Sequence, residues 1–309
     1  MLKRQASPST SPTSRKAASS PIALPLRGAG GEPVSFLFTI YSHGLAQLPP
    51  GRVEEAPPAY DFTVSLDETI TTLRFTESEG MLQIAADRRL RARSERDVCA
   101  IAARMFRLND NLAPFYAMIE NDPDLQWARA GAGRMLASPT VFEDVIRTIC
   151  TTNCAWSATT RMITALVELG GGAVPNPSLL ARTKDVWFAD AARMGYRGPY
   201  VRAIAADVIN GNVDLEGLMP ERGLGEDEVE ERLLALPGVG PYAAAHIMQL
   251  LGFHHRLILD SWTRPTFLKL SKMKRASDTT IRRRFARYGR FAGLAFWLYL
   301  TRRWHEEVE

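Results

Sequence analysis

The chain has 309 residues, of which 46% are hydrophobic and 23% are charged, a composition typical of a folded globular protein of about two domains. No run of about 18 apolar residues occurs, so we predict no membrane-spanning helix. The three cysteines, Cys99, Cys150 and Cys154, lack the spacing of metal ligands or of a disulfide framework. This excludes a four-cysteine iron–sulfur cluster and predicts a cytoplasmic protein, or a nuclear or organellar one in a eukaryote.

Charge is distributed unevenly along the chain, although the formal net charge is only +4. Residues 1–31 contain five basic and no acidic residues, and residues 256–303 contain thirteen basic residues against Asp260 and Asp278. A basic stretch of this kind is typical either of a solvated helix face or of a surface that binds nucleic acid. Its position directly after the turn described below favours nucleic acid.

Three regions follow one another along the chain. Residues 1–31 are rich in Ser, Pro, Ala and Gly and hold few large apolar residues, so we predict a disordered basic tail. Residues 32–95 contain short alternating apolar runs between turn residues, which predict a small antiparallel β-rich domain. These runs begin at Phe36, Phe62, Ile70 and Met81. From residue 96 to residue 309 the apolar period is helical.

Capping residues and prolines mark the ends of the predicted helices. Ser138-Pro139 predicts a helix start, and residues 140–169 predict one long helix or a broken pair. Pro241 opens a further helix that ends near Gly252. The sequence therefore predicts an α+β protein in which a small β-rich N-terminal domain precedes a mostly α-helical one.

The most informative motif is Leu-Pro-Gly-Val-Gly at residues 236–240, a turn between two helical stretches. Such a turn exposes backbone amides at the start of a helix, where they bind phosphate. Asp260 lies eighteen residues after Tyr242, so its carboxylate is expected close to whatever that phosphate positions. Asp260 can instead be a helix N-cap. The amides expected to contact DNA belong to Gly238, Val239 and Gly240.

Four ordered stretches and Asp260 together resemble the helix-hairpin-helix (HhH-GPD) DNA glycosylase superfamily. The likeness is greatest to 8-oxoguanine DNA glycosylase and to the bacterial inducible 3-methyladenine DNA glycosylase. The resemblance covers about residues 136–299. It implies a two-lobed helical domain and a DNA N-glycosylase of base excision repair, acting as a monomer on double-stranded DNA that contains a damaged base. The four stretches are residues 149–153, 194–202, 236–240 and 288–293.

The resemblance implies a role for Asp260 and, through one departure, a type of reaction. The aspartate of these enzymes stabilises the positive charge that develops on the sugar as the N-glycosidic bond breaks. Members that also cut the strand carry a lysine nucleophile at the position of Tyr242. None of the six lysines of this chain lies in the hairpin, so we predict a hydrolase without lyase activity.

Tyr242 also indicates the substrate. The 3-methyladenine enzyme has an aromatic residue at this position, and an electron-rich ring attracts alkylated purines, which carry a delocalised positive charge. His246, one turn beyond Tyr242, is expected to line the same pocket, or to be a structural histidine. Phe296 and Trp297 on the closing helix are expected either in this pocket or in the core.

The resemblance further implies that the damaged base is flipped out of the stack. Asn153 and Tyr196 are expected to fill the vacated space, and Arg197 is expected to contact the opposite strand or a phosphate. The hairpin around Gly238 and Gly240 is expected to hold a monovalent cation, and no other metal or cofactor is expected.

Two alternatives remain open at this point. An 8-oxoguanine-type enzyme reads its lesion with a glutamine and the opposite cytosine with an arginine, and the corresponding positions here are Phe296 and Ala158. A register shift of one residue near Ala295 would change the first assignment. The second alternative is a catalytically inactive DNA-binding protein that keeps the hairpin, and the presence of Asp260 argues against it.

Overall fold

The computed structural model describes residues 22–304 as a five-stranded antiparallel sheet followed by a large helical part. This confirms the predicted α+β class. No helix in this part of the chain is long and apolar enough to cross a membrane. The strands are β1 (Ile22–Pro25), β2 (Gly51–Glu55), β3 (Pro58–Leu66), β4 (Thr69–Ser78) and β5 (Met81–Ala86). The helices are α1 (Phe36–Ile40), α2 (Ala92–Met105), α3 (Ala113–Met118), α4 (Val141–Ile149), α5 (Trp156–Leu169), α6 (Pro177–Arg182), α7 (Arg197–Ile209), α8 (Glu226–Leu234), α9 (Pro241–Leu251), α10 (Thr263–Ser271), α11 (Asp278–Phe285) and α12 (Ala292–Thr301).

The sheet has the strand order β1-β5-β4-β3-β2, with every neighbouring pair antiparallel. Tight turns join β3 to β4 and β4 to β5, and their central residues have positive φ, as two-residue hairpins require. Alternate side chains of the central strands are buried because one face of the sheet packs against α2. From α2, Val98, Ala102 and Met105 enter this core.

Two further apolar cores divide the helical part into lobes. The first lobe is formed by α4 to α9, and the second by α3 together with α10 to α12. Leu45 and Leu48, from the loop after α1, pack into the core of the first lobe. The guanidinium of Arg147 on α4 fixes the same loop, because its Nη2 donates to the carbonyl of Leu45 at 2.7 Å. The β-rich part is therefore joined to the first lobe through this loop.

Several boundaries differ from those predicted. The disordered tail was predicted to reach residue 31, yet Ile22–Pro25 forms an edge strand that pairs with β5; residues 1–21 lie outside the described part. Phe36–Ile40 forms a helix capped by the hydroxyl of Ser35 rather than a strand. The predicted boundary at residues 95–96 falls inside α2, which packs on the sheet. In each case long-range packing or a local cap outweighs the short-range pattern.

The helices were predicted more accurately than these boundaries. Residues 140–169 form the broken pair α4 and α5, and Thr140, not Ser138, caps α4 through a bond from the amide of Glu143 at 3.1 Å. Pro241 begins α9, which ends before Gly252 as predicted. The α8–turn–α9 unit is therefore the helical hairpin that the Leu-Pro-Gly-Val-Gly motif predicts.

Candidate active site

The turn of the hairpin presents two free backbone amides. Gly238 has a φ of +82°, a conformation that favours glycine, whereas Gly240 is extended with a φ of −97° and opens α9 as its N-cap. Neither amide has an acceptor within residues 22–304. Val239 differs from the prediction, because its amide donates to the carbonyl of Leu236 at 3.2 Å and its side chain is buried in the first lobe. Two of the three predicted amides are thus available to a phosphate.

A cleft of about 720 Å³ opens beside the hairpin, and three parts of the chain meet in it. The loop after α1 provides one edge, the first lobe provides a second, and the second lobe provides the third. Lysine is absent from the residues that line it within the described part of the chain. The lining residues are His43, Gly44, Leu45, Gln47, Thr151, Asn153, Cys154, Trp156, Thr159, Tyr242, His246, Leu259, Asp260, Ser261, Trp262, Arg264, Trp297 and Trp304.

Asp260 lies at the entrance to α10 and uses one carboxylate oxygen to cap it. Its Oδ1 accepts from the amides of Trp262 at 2.8 Å and Thr263 at 2.6 Å, and the hydroxyl of Thr263 accepts from the amide of Asp260 at 2.8 Å. Its Oδ2 accepts no hydrogen bond from residues 22–304. The two interpretations of Asp260 are therefore compatible, because capping occupies one oxygen and leaves the other available to a ligand in the cleft.

Tyr242 lies in the first turn of α9, as the hairpin motif requires, and lines the cleft. Its hydroxyl lies 3.3 Å from the hydroxyl of Thr151, and burial raises the pKa of the phenol, with Asp260 acting in the same direction. The phenol is therefore neutral near pH 7 and offers a polarisable ring rather than a charge.

Tryptophan rings dominate the side of the cleft that belongs to the second lobe. Trp262 lies 5.8 Å from Trp297 and 5.3 Å from Trp304 between ring centroids. Trp297 is buried and its Nε1 donates to the carbonyl of Ser42 at 2.9 Å, while Trp262 and Trp304 are 39% and 38% exposed. The ring of Trp156, from the first lobe, lies next to Gly44 and is half exposed. These rings give the cleft a largely aromatic wall.

Two histidines lie deeper in the cleft. His246, one turn along α9 from Tyr242, is buried beside it with the ring centroids 6.1 Å apart. His43 comes from the loop after α1 and meets His246 edge to face at 5.6 Å. Burial lowers the pKa of His43 to about 3 and that of His246 to about 4, so both rings are neutral at physiological pH.

The predicted wedge residues lie near one another at the edge of the cleft, which Asn153 lines and Tyr196 does not. Asn153 is exposed with a φ of +47°, and its Nδ2 lies 3.5 Å from the hydroxyl of Tyr196, which is 50% exposed. Arg197 differs from the prediction: it is 7% exposed, donates to the carbonyl of Thr152 and lies 4.5 Å from the ring centroid of Tyr196. The guanidinium is therefore buried against Thr152 and Tyr196, beside the exposed pair, and not exposed at the surface.

Phe296 does not line the cleft, and of the two places expected for it the core is the one it occupies. Its side chain is fully buried in the second lobe, 5.2 Å from the ring of Phe285, while the neighbouring Trp297 lines the cleft. One residue turns a helix by about 100°, so the two side chains cannot share a face. Trp304 was not predicted from the sequence. It follows Trp297 by seven residues, about two helical turns, and this spacing indicates a shared face.

The basic stretch predicted after residue 256 is partly neutralised by ion pairs. Arg264 pairs with Asp278 at 2.8 Å and Arg287 with Asp122 at 3.0 Å. Other exposed cations have no ion pair within residues 22–304 and are available to an anionic partner. These are Lys269, Lys272, Lys274, Arg275, Arg282, Arg283, Arg290 and Arg303. Over the same residues, no group of three or more His, Cys, Asp or Glu side chains is arranged to hold a metal ion.

Solved structures show which class of fold this is. The chain is similar to the 3-methyladenine DNA glycosylase from Archaeoglobus fulgidus, with 20% identity, a TM-score of 0.70, and coverage of 92% of this chain and 99% of that one. It is similar to MBOgg1 in complex with a low-affinity DNA ligand, with 18% identity, a TM-score of 0.70, and coverage of 94% and 98%. It is also similar to the Clostridium acetobutylicum 8-oxoguanine glycosylase/lyase in complex with double-stranded DNA, with 17% identity, a TM-score of 0.62, and coverage of 85% and 93%.

No protein-family model and no curated protein matches the sequence. At the identities found, the structural likeness establishes the fold. The chain has the helix-hairpin-helix DNA glycosylase fold over most of its length, which confirms the resemblance predicted from the four stretches.

Proposed function

We propose that the protein is a monofunctional DNA N-glycosylase of base excision repair, which hydrolyses an alkylated purine from double-stranded DNA. One observation carries this proposal: the Asp260 carboxylate has an unused oxygen in a cleft that is walled by tryptophan and tyrosine rings and contains no lysine among its described lining residues. The carboxylate supplies the charge that the reaction needs, and the rings supply a surface for a base.

The proposed reaction begins with the base outside the helix, because the sugar carbon cannot be reached inside an intact stack. As the N-glycosidic bond breaks, positive charge grows on the sugar, and the Asp260 carboxylate stabilises it and orients a water molecule. Without an amine in the cleft, no Schiff base forms and the strand stays intact. This supports hydrolysis without a lyase step.

The hairpin supplies the contact with the DNA backbone. The free amides of Gly238 and Gly240 suit a phosphate oxygen, and α9 directs the positive end of its dipole to the same point. The carbonyl of Gly238, which accepts no hydrogen bond within residues 22–304, suits the expected monovalent cation. The unpaired cations of α10 and α11 would extend the attraction along the duplex.

The wedge residues would fill the space that the flipped base leaves, and the pocket would hold the base itself. Asn153 and Tyr196 are exposed at the surface and suit the space that a flipped base leaves, with Arg197 holding them in place. Within the cleft, the rings of Tyr242, Trp262 and Trp297 favour a base with delocalised positive charge. Neutral histidines in the same cleft add no repulsion toward such a base.

Single-turnover release of base from a duplex that contains one methylated purine tests the proposal, with Asp260→Asn measured alongside. We expect release by the wild type, loss of release in the variant, and strand breaks only after added alkali. Release of an oxidised base in place of a methylated one would support the 8-oxoguanine-type alternative. Tight duplex binding without release from either kind of lesion would support a DNA-binding protein without catalysis.

A further inference from the structure

The two ring nitrogens of His246 are buried without a hydrogen-bond partner in the described part of the chain. Its side chain is 94% removed from solvent, since 6% is exposed, and neither Nδ1 nor Nε2 has a hydrogen-bond partner within residues 22–304. Buried nitrogen atoms are nearly always hydrogen-bonded, because leaving them unbonded costs free energy. The position of His246 in the cleft, between Tyr242 and His43, suggests a partner that arrives from outside.

The neighbours of His246 cannot satisfy it. Tyr242 and His43 both meet the ring edge to face, at 6.1 Å and 5.6 Å between centroids, which is packing and not hydrogen bonding. His43 has already used both its nitrogens, because Nε2 lies 2.8 Å from the carbonyl of Leu136 and Nδ1 accepts from the amide of Leu45 at 3.3 Å. His43 is thereby fixed in one tautomer, and it buttresses His246 without competing for a ligand.

The protonation state of His246 determines what that ligand must offer. Burial lowers the pKa of the ring to about 4, although the charges of Asp144 and Asp260 act in the opposite direction. A neutral imidazole has one N–H donor and one acceptor nitrogen. The two nitrogens point away from each other, so only one of them can face a base, and the unprotonated nitrogen in that place needs a donor on the ligand.

A ring flip is the smallest movement that would turn a nitrogen of His246 toward the cleft. Both nitrogens have almost no accessible surface, so the small exposed part of His246 belongs to its other atoms. A half-turn about Cβ–Cγ exchanges Nδ1 with Cδ2 and Nε2 with Cε1 while the outline of the ring stays the same. A base that enters the cleft can therefore gain a hydrogen bond without displacing Tyr242 or His43.

We propose that the unprotonated nitrogen of His246 accepts one hydrogen bond from the six-membered ring of the flipped base, and so favours purines that keep an N–H donor there. Purines alkylated at N3 or N7 keep such a donor. In 1,N6-ethenoadenine the added ring removes it, and the N–H of the free base lies on the five-membered ring. This inference rests on the proposed function, since it specifies which purines the glycosylase takes.

Two readouts test the role of His246, and only one of them needs activity. Equilibrium dialysis measures the binding of free 3-methyladenine and free 1,N6-ethenoadenine to the full chain, and single-turnover assays measure release of the same two bases from duplex DNA. His246→Phe keeps a ring but removes both nitrogens, and His246→Gln restores a donor and an acceptor.

His254 provides the matched control. It is also 6% exposed, also lacks a partner for both nitrogens within residues 22–304, and also has its pKa lowered to about 4 by burial, but it lies outside the cleft. His254→Phe therefore reproduces the packing change without touching the proposed site.

We expect the wild type to bind 3-methyladenine in preference to 1,N6-ethenoadenine. His246→Phe should lose about 10- to 100-fold in binding and release of 3-methyladenine, with 1,N6-ethenoadenine unchanged. His246→Gln should recover part of the loss, and His254→Phe should keep the wild-type preference. An equal effect of His246→Phe on both bases, no effect on either, or no binding of 3-methyladenine by the wild type would overturn the inference. Selective binding without release by the wild type would instead refute the proposed function and leave the role of His246 in binding supported.

Discussion

The two lobes present different chemistry to the cleft between them. The first lobe contributes a neutral phenol and a neutral histidine to the cleft and, in the turn beside it, the free backbone amides of Gly238 and Gly240. All of these groups form hydrogen bonds or packing contacts. The second lobe contributes Asp260 and three indole rings, which are groups that attract positive charge. If the proposed function is right, binding of the DNA backbone and stabilisation of the reacting sugar reside in separate lobes and can be separated by substitution.

The largest expected effect belongs to the carboxylate of the second lobe. Asp260→Asn keeps an oxygen that can accept from the amides of Trp262 and Thr263, because asparagine is as good an N-cap as aspartate. We expect the single-turnover rate to fall by about 1000-fold while duplex affinity and the melting temperature stay near the wild-type values.

Asp260→Ala separates the two roles of this residue. It should match Asp260→Asn in rate and in addition lower the free energy of unfolding by about 1 kcal/mol, because the cap is lost. If Asp260→Asn keeps the wild-type rate and only Asp260→Ala loses it, the carboxylate acts through the position of α10 and not on the sugar.

The hairpin of the first lobe should respond in the opposite way. In Gly238→Ala a Cβ would lie 2.5 Å from the ring of Tyr200, at a φ of +82°. We expect a loss of about 2 kcal/mol in the free energy of unfolding and about 10-fold weaker duplex binding. The release rate at saturating protein should be unchanged, as measured by denaturant melts, fluorescence anisotropy and single-turnover kinetics.

Gly240→Ala is the control for this turn. Its backbone is extended and a Cβ would meet no atom within 4 Å, so its melting curve should match the wild type. Equal destabilisation by both substitutions would mean that the turn tolerates no side chain at all, and the conformational argument for Gly238 would fail.

These two regions also show how far the sequence could predict the site. The hairpin and Asp260 are local features, since a turn motif and a fixed spacing specify them, and the structure places both at one cleft. By contrast α12 is buried on all sides, so no amphipathic pattern distinguishes the face of Phe296 from that of Trp297. The sequence therefore could not decide which of the two rings faces the cleft.

Contacts between distant parts of the chain were beyond sequence reasoning. His43 reaches the cleft only because the loop after α1 packs into the first lobe, and α1 itself was expected to be a strand. Arg197 was expected to contact the opposite strand or a phosphate because of the resemblance, and only the fold shows that its partner is the carbonyl of Thr152. Periodicity predicts elements, whereas burial of a polar side chain depends on partners far along the sequence.

The aromatic wall of the second lobe should produce a smaller effect than either element above. Trp262→Leu removes a half-exposed ring, and we expect the affinity for a free alkylated purine to fall about 5- to 10-fold. Duplex affinity should change little. Trp187→Leu is the control, because Trp187 packs against Phe188 outside the cleft. An equal loss in both variants, measured by equilibrium dialysis, would show that the effect is one of general packing.

The smallest expected effect concerns His254, which lies where the two lobes meet. Its carbonyl accepts from the amides of Gly293 and Leu294 at the start of α12. Burial lowers the pKa of its ring from 6.5 to about 4; among the nearby charges, Asp110 opposes this shift and Arg107 acts with it. As the pH falls below 6.5, the unfolded chain therefore binds a proton that the folded chain does not, and stability is lost between pH 6.5 and about 4.

His43 and His246 have lowered pKa values too, so they contribute to the same acid sensitivity, and only a difference between variants isolates His254. We expect His254→Phe to lose about 1 kcal/mol less than the wild type between pH 6.5 and 5.5, as measured by urea unfolding at each pH. A parallel pH dependence in the two proteins would mean that the ring of His254 is protonated as readily in the folded chain as in the unfolded one. The junction of the lobes would then admit water. The two lobes would be packed less tightly there than the backbone hydrogen bonds from α12 to His254 indicate.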